Sequence, residues 1–290
     1  MLFKRREKYI ETNQPLNLRD AVEFTLLDPR AIDQDIKTLV NIAIKNSYYA
    51  VCVNPTNVFV AKDIISKSSK PEIKIVSVVG FPLGANKIAT KVEEARSAIA
   101  DGADELDIVI NISKAKEGDF SYIKDELSRI VRIAKGRIIK AVIETCYLSR
   151  DEIKNVCKAC VKAKIDYVMT STGYGTGGAN IEDVSYLHEI LEGKCAIKAS
   201  GAIKSPVQAE ELIRAGANRI GTSRVIWWII FLKIFKTQIK LQVNLLKQYQ
   251  KGTLSFWLVI LGLGKLLSLK ELSKHLVAMM SKLLVQLLQL

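Results

Sequence analysis

Up to about residue 224 the chain alternates two kinds of segment, and this alternation restricts its fold more than any other feature. Short apolar runs, many of them rich in β-branched residues, read as strands: AVEFTLL (21–27), YAVCVN (49–54), IKIVSVVGF (73–81), ELDIVINI (105–112), IIKAVIET (138–145), DYVMTST (166–172), CAIKAS (195–200) and NRIGTS (218–223). Amphipathic runs of helix length fill most of the gaps, TKVEEARSAIADG (90–102) among them. Ser149 with Glu152 makes a capping box, in which each residue's side chain accepts the other's backbone N–H. Ser205, Pro206 and Gln208 repeat the pattern, with proline at the first helical position. Gly102 and Gly216 stand where helices should stop. Eight strands, each mostly followed by a helix, predict an α/β chain folded as a (β/α)8 TIM barrel. A doubly wound open sheet is the runner-up. The barrel is preferred because candidate site residues recur at the C-terminal ends of many strands, whereas an open sheet gathers them at one switch point.

From Val225 the alternation stops. Residues 225–290 are rich in Leu and Lys, hold all three tryptophans, and carry 9 of the 43 basic residues but 1 of the 30 acidic ones. The tail is therefore +8 and the rest of the chain +5, out of a formal net charge of +13. A modestly basic body suits an enzyme for phosphorylated substrates. Without finger motif, aromatic–basic stripe or glycine-rich basic repeat, no nucleic-acid partner is expected. The longest uncharged run of the tail, Gly252 to Gly264, has 13 residues, short of the roughly 20 that span a bilayer. The expected division is a barrel over 1–224, completed by a helix reaching about residue 250, and an atypical tail over 225–290 that is not a second folded domain. A frameshift near codon 224 accounts for such a tail; the other reading is a surface-binding amphipathic extension.

Five cysteines and no N-terminal signal segment predict a reducing, cytoplasmic setting. Cys157 and Cys160 form a C-x-x-C inside a helix-like run, and one pair cannot complete a four-ligand zinc site, so both are assigned to the core. His188 and His275 lie in Leu-bearing helical runs and read as structural. Acid–base chemistry is left to carboxylates and lysines. Asp107 stands inside the apolar strand ELDIVINI, where a carboxylate is costly unless paired or functional; the plainer alternative is a strand-start carboxylate bonded to backbone. Lys198 shares a strand face with Ala196 and Ser200, small neighbours that leave it room at a barrel axis. There it is expected to have a lowered pKa and to transfer protons or attack a carbonyl, unless it is an edge lysine that snorkels outward. Three loops, STGYGTGG (171–178), SGAIKS (200–205) and GTSR (221–224), bring glycines and helix N-termini to adjacent strand ends, an arrangement that suits the phosphate of a small substrate.

The motifs VCVNP (51–55), GFPLGAN (80–86), GADELDIVINI (102–112), IETCYL (143–148), TSTGYGTGGA (170–179), KASGAIKS (198–205) and RIGTS (219–223) are collinear with those of another group of proteins. Over roughly residues 18–224 the chain resembles deoxyribose-phosphate aldolase. The resemblance implies a (β/α)8 barrel that cleaves 2-deoxy-D-ribose 5-phosphate to acetaldehyde and glyceraldehyde 3-phosphate without metal or cofactor, often as a homo-oligomer. It implies proton transfer by Asp107 and Lys198, and a phosphate site at Gly173, Gly201, Ala202, Gly221 and Ser223, with Ala202 replacing a usual glycine. It also implies a Schiff-base lysine immediately before TSTG, where this chain has Met169. A thioether forms no imine, although methionine matches lysine in length and flexibility. The expectation is a barrel that folds and binds ligand while its aldolase activity is impaired. The alternatives are a non-catalytic sugar-phosphate-binding barrel and a peripheral membrane or partner-binding protein acting through the tail.

Overall fold

The structure, a computed structural model, describes residues 18–223. The tail, His275 and the helix expected to complete the barrel lie outside the described residues. Within them the order is α1 (Leu18–Ala21), β1 (Val22–Leu26), α2 (Asp33–Asn46), β2 (Ala50–Val53), α3 (Val58–Ser66), β3 (Lys74–Val79), α4 (Ile88–Asp101), β4 (Glu105–Val109), α5 (Ile112–Lys116), α6 (Phe120–Ile133), β5 (Ile138–Val142), α7 (Arg150–Lys162), β6 (Tyr167–Met169), α8 (Ile181–Leu191), β7 (Ala196–Ser200), α9 (Pro206–Arg214) and β8 (Arg219–Thr222). All eight strands are parallel and close into one barrel, because β1 pairs with both β2 and β8. That closure rules out the open sheet.

Side-chain alternation divides each strand between two environments. Outward-facing Val51, Ile75, Leu106, Ile108, Ile139, Ala141, Val168, Ile197 and Ile220 join helix residues such as Ile36, Leu127, Val156 and Leu187 in one large apolar layer. A smaller apolar group inside the barrel comprises Ala50, Cys52, Val76 and Val78. Six other interior positions, on β1, β4, β5, β7 and β8, carry charged side chains that are buried.

Helix ends follow local chemistry. Ser149 Oγ accepts the N–H of Glu152 at 3.3 Å, and the Glu152 carboxylate accepts that of Ser149 at 2.7 Å, so the capping box starts α7 as expected. The start of α9 differs in one bond. Ser205 Oγ accepts the Gln208 N–H, but the Gln208 side chain reaches past Ser205 to the N–H of Lys204. Gly102 caps α4 at φ 112°, a left-handed conformation that favours glycine. Cys157 and Cys160 are buried in α7, and burial pushes both thiols up from their ordinary pKa, consistent with core packing. The strand expected over 166–172 ends at Met169; Thr170 still donates its N–H to the Lys198 carbonyl, but the chain then turns into the glycine-bearing loop.

Candidate active site

Strand register brings the predicted residues together. Asp107 on β4 lies beside Lys140 on β5, Val142 beside Met169, and Met169 beside Lys198 on β7. Asp107 is at mid-strand and fully buried, which sets aside the strand-start alternative. Its carboxylate takes Lys140 Nζ at 3.0 Å and Lys198 Nζ at 2.5 Å. Lys198 points inward, not out to solvent, and also binds Glu23 from β1.

Four charged residues of this cluster escaped the sequence reading: Glu23, Glu105, Lys140 and Arg219. Lys140 Nζ lies 3.3 Å from Glu23 and 2.7 Å from Glu105. Glu105 also accepts the Tyr49 hydroxyl. Arg219 stacks its guanidinium 3.2 Å from the centre of the Tyr49 ring at the N-terminal side of the strands. The signal that singled out Asp107 and Lys198, a charge inside an apolar strand, was equally present in AVEFTLL, IIKAVIET and NRIGTS. Three acidic side chains thus face three basic ones, and the formal charges inside the barrel cancel.

This balance overturns one expectation. Burial alone would lower the pKa of Lys198, but Asp107 and Glu23 outweigh it and hold the ammonium above its ordinary range. Lys140 is raised for the same reason, with Asp107, Glu105 and Glu23 outweighing its burial. Burial would likewise raise Glu23, yet Lys140, Lys198 and Arg219 bring its carboxyl down to about 2. Burial dominates for the Cys52 thiol, which is pushed up to about 12. Both interior lysines are therefore protonated donors, and neither presents a free amine. Met169 adds none. It is 4% exposed and packs with Val109 and Val142 in an apolar patch bordered by Phe81 and Ile112.

Beyond the charged cluster, at the C-terminal ends of the strands, lies a cavity of about 590 Å³. Gly173, Gly201, Ala202, Gly221 and Ser223 all line it, while Asp107, Met169 and Lys198 do not. Gly173 and Gly201 have φ of 86° and 89°. Lys204 adds positive charge to its wall, whereas Arg30, which also lines it, is paired with the neighbouring Asp28 at 2.8 Å. One of these glycines serves a second purpose. A Cβ at Gly221 would come within 2.7 Å of Ser200 Oγ and 3.0 Å of Lys198 Cε, so this glycine also makes room for the buried lysine.

Among the described residues no cluster of His, Cys, Asp or Glu is arranged to hold a metal ion, and no helix is long and apolar enough to cross a membrane. A family model for DeoC/LacD family aldolases matches residues 16–177. The deoxyribose-phosphate aldolase of Thermococcus gammatolerans is 46% identical over 210 residues, which are 72% of this chain and 93% of the relative. That of Caldanaerobacter subterraneus is 41% identical over 211 residues, 72% and 90% of the two chains. Among solved structures, the aldolase QR15 superposes with a TM-score of 0.71 at 37% identity, covering 76% of this chain and 97% of its own. The deoxyribose phosphate aldolase of Aeropyrum pernix, described as a unique tetramer, gives 0.66 at 30%, covering 77% and 92%. A closed parallel barrel with a charged interior, matched over most of its length by these proteins, belongs to the DeoC/LacD family of aldolases.

Proposed function

We propose that this barrel is built for the retro-aldol cleavage of 2-deoxy-D-ribose 5-phosphate and that, as the chain stands, it binds the sugar phosphate without turning it over efficiently. One observation carries the second half. The position between Val142 and Lys198, where the chemistry needs an amine, holds Met169, and both nearby lysines are committed to ion pairs.

The reaction defines what is missing. An amine adds to the C1 aldehyde of the open sugar, and the adduct takes up a proton from an acid and loses water, giving a protonated imine. A base then takes the proton of the C3 hydroxyl. The C2–C3 bond breaks, its electron pair moves into the imine to make an enamine, and glyceraldehyde 3-phosphate leaves. Protonation at C2 and hydrolysis release acetaldehyde and restore the amine. Asp107 and Lys198 are assigned the proton transfers, and Gly173, Gly201, Ala202, Gly221 and Ser223 the phosphate. The cavity beyond the charged cluster supports this division, since it separates the anion from the reacting carbons. Without the imine the C2–C3 electron pair has no sink, and loss of a covalent nucleophile costs on the order of a thousandfold or more in rate.

Met169→Lys tests the reading. It is expected to raise cleavage of deoxyribose 5-phosphate by about a thousandfold, and borohydride with acetaldehyde should then leave a reduced adduct on the introduced amine, detectable by peptide mass spectrometry. Appreciable turnover by the unaltered chain, with the adduct on Lys198, would show that Met169 is not the disabling change.

For assembly and setting we infer a homo-oligomer in the cytoplasm. The tetrameric relative and exposed apolar side chains such as Phe59 and Leu83 support the first part. Light scattering of the purified chain measures it.

A further inference from the structure

Glu144 is a buried acidic side chain that the chemistry above leaves unused. It follows β5 in the left-handed backbone region at φ 51° and is 1% exposed. The ion pairs found among the described residues do not include it. A carboxyl group removed from water without a cation is costly unless hydrogen bonds replace the water. Here the main donors belong to one residue of the neighbouring loop. Glu144 Oε2 accepts the Thr172 N–H at 3.1 Å and the Thr172 hydroxyl at 2.5 Å.

Thr172 passes the connection on. Its Oγ1 accepts the Tyr174 N–H at 3.0 Å, and the Tyr174 hydroxyl donates to the Leu27 carbonyl at 2.9 Å. The Tyr174 ring meets Phe81 edge-on, with centroids 5.4 Å apart. A strap therefore runs from the end of β5 across the loop after β6 to the segments that follow β1 and β3. The glycines of GYGTGG make it possible. A Cβ at Gly175 would sit 3.0 Å from Glu144 Cδ, and one at Gly177 would sit 2.9 Å from Cys146 Cβ. Thr172, Gly173 and Tyr174 line the cavity, whereas Glu144 lies behind it.

We propose that Glu144 is a positioning residue for the phosphate end of the substrate: it grips Thr172 and so fixes Gly173 and Tyr174 as a wall of the cavity. The proposal rests on the reading of that cavity as the phosphate site. It requires a strong acceptor at 144, which glutamine partly supplies and leucine does not.

The test uses the full chain with Glu144→Leu, Glu144→Gln and Thr172→Val. Two quantities are measured: the calorimetric Kd for inorganic phosphate, and hydrogen exchange in a peptide covering residues 172–178. Glu144→Leu and Thr172→Val should each weaken phosphate binding about tenfold or more, as loss of a strong hydrogen bond implies, and Glu144→Gln by no more than about threefold. Exchange over 172–178 should quicken in the first two variants while β5 and β6 keep their protection. Unchanged phosphate affinity and unchanged loop exchange in Glu144→Leu would overturn the proposal. So would a general loss of protection with phosphate affinity unchanged, which marks a purely structural carboxyl group. If Glu144→Leu does not fold, Thr172→Val decides by the same two readings. If the unaltered chain binds no phosphate, the assignment of the cavity fails on its own, and the exchange rates over 172–178 decide whether Glu144 positions the loop.

Discussion

At the scale of single residues, Met169 and Ala202 stand out. Met169 sits against Val109 and Val142 on one side and the protonated Lys198 on the other, above an interior whose formal charges already cancel. An amine introduced there enters an apolar patch beside a protonated lysine, so the lysine of Met169→Lys should have a pKa well below the ordinary value of about 10.4. Its folded pKa would be depressed relative to the unfolded chain, so the unfolded state binds more protons between the two values and stability rises with pH there. The stability gap between Met169→Lys and the unaltered chain should accordingly narrow as pH rises towards about 10.4; denaturant melts at several pH values measure it, and a constant gap would place the amine in an ion pair. Ala202 has φ 57°, in the left-handed region that an L side chain adopts at a cost. Ala202→Gly relieves that strain and loses some chain entropy in exchange, so a net gain of about 0.5–1 kcal/mol is expected from urea unfolding.

At the scale of elements, the ends matter more than the middles. The helix α7 starts on the reciprocal bonds of Ser149 and Glu152, beside the loop that carries Glu144. Ser149→Ala should cost about 1 kcal/mol in unfolding free energy, as removal of a side-chain cap does, with Glu152 left to cap alone. The strands show how one local pattern can serve two ends. AVEFTLL, ELDIVINI and IIKAVIET look like ordinary buried strands, and their outward residues do form the ordinary core. Their inward residues Glu23, Asp107 and Lys140 come from three strands to build a single ion-pair network. The loops are glycine-rich for equally mixed reasons: Gly173 and Gly201 line the cavity, while Gly175 and Gly177 are small because Glu144 and Cys146 lie beneath them.

At the scale of the molecule, closure of the barrel turns scattered charges into a pH-dependent stability. Glu23 is held down to about 2 against the effect of burial by Lys140, Lys198 and Arg219. A depressed carboxyl contributes stability that is present above its unfolded pKa of 4.5 and is lost as pH falls towards about 2. Lys140 and Lys198 are raised, so their contribution is full below 10.5 and disappears only above it. Glu23→Gln should therefore flatten the acid side of the stability–pH curve. It should also lower stability near neutrality by about 3–5 kcal/mol, because it leaves buried ammonium groups short of a partner. Chemical unfolding between pH 2 and 7 reads both effects, and an unchanged acid slope would show that Glu23 does not carry it.

The order of strands and helices was legible without coordinates because it is a local property: apolar period, caps and glycine stops act within a few residues. The barrel followed from the number of such units, and the aldolase resemblance from motifs that keep their order along the chain. Asp107 and Lys198 were likewise visible as charges out of keeping with apolar strands, and the absence of an amine at Met169 was visible through the aldolase resemblance. Tertiary structure decided what those charges do. Lys198 was expected to have a lowered pKa on the argument of burial, and it is raised because Glu23 and Asp107, distant in sequence, converge on its ammonium. Lys140 and Arg219 carried the same signal of a charge in a strand, but which groups each of them meets is decided only when the barrel closes. The role of Glu144 is of the same kind, since only the packing of one strand end against the next loop brings Thr172 to it. Local chemistry along the chain determines which elements form; electrostatic balance depends on distances across the barrel, and these exist only once β1 has paired with β8.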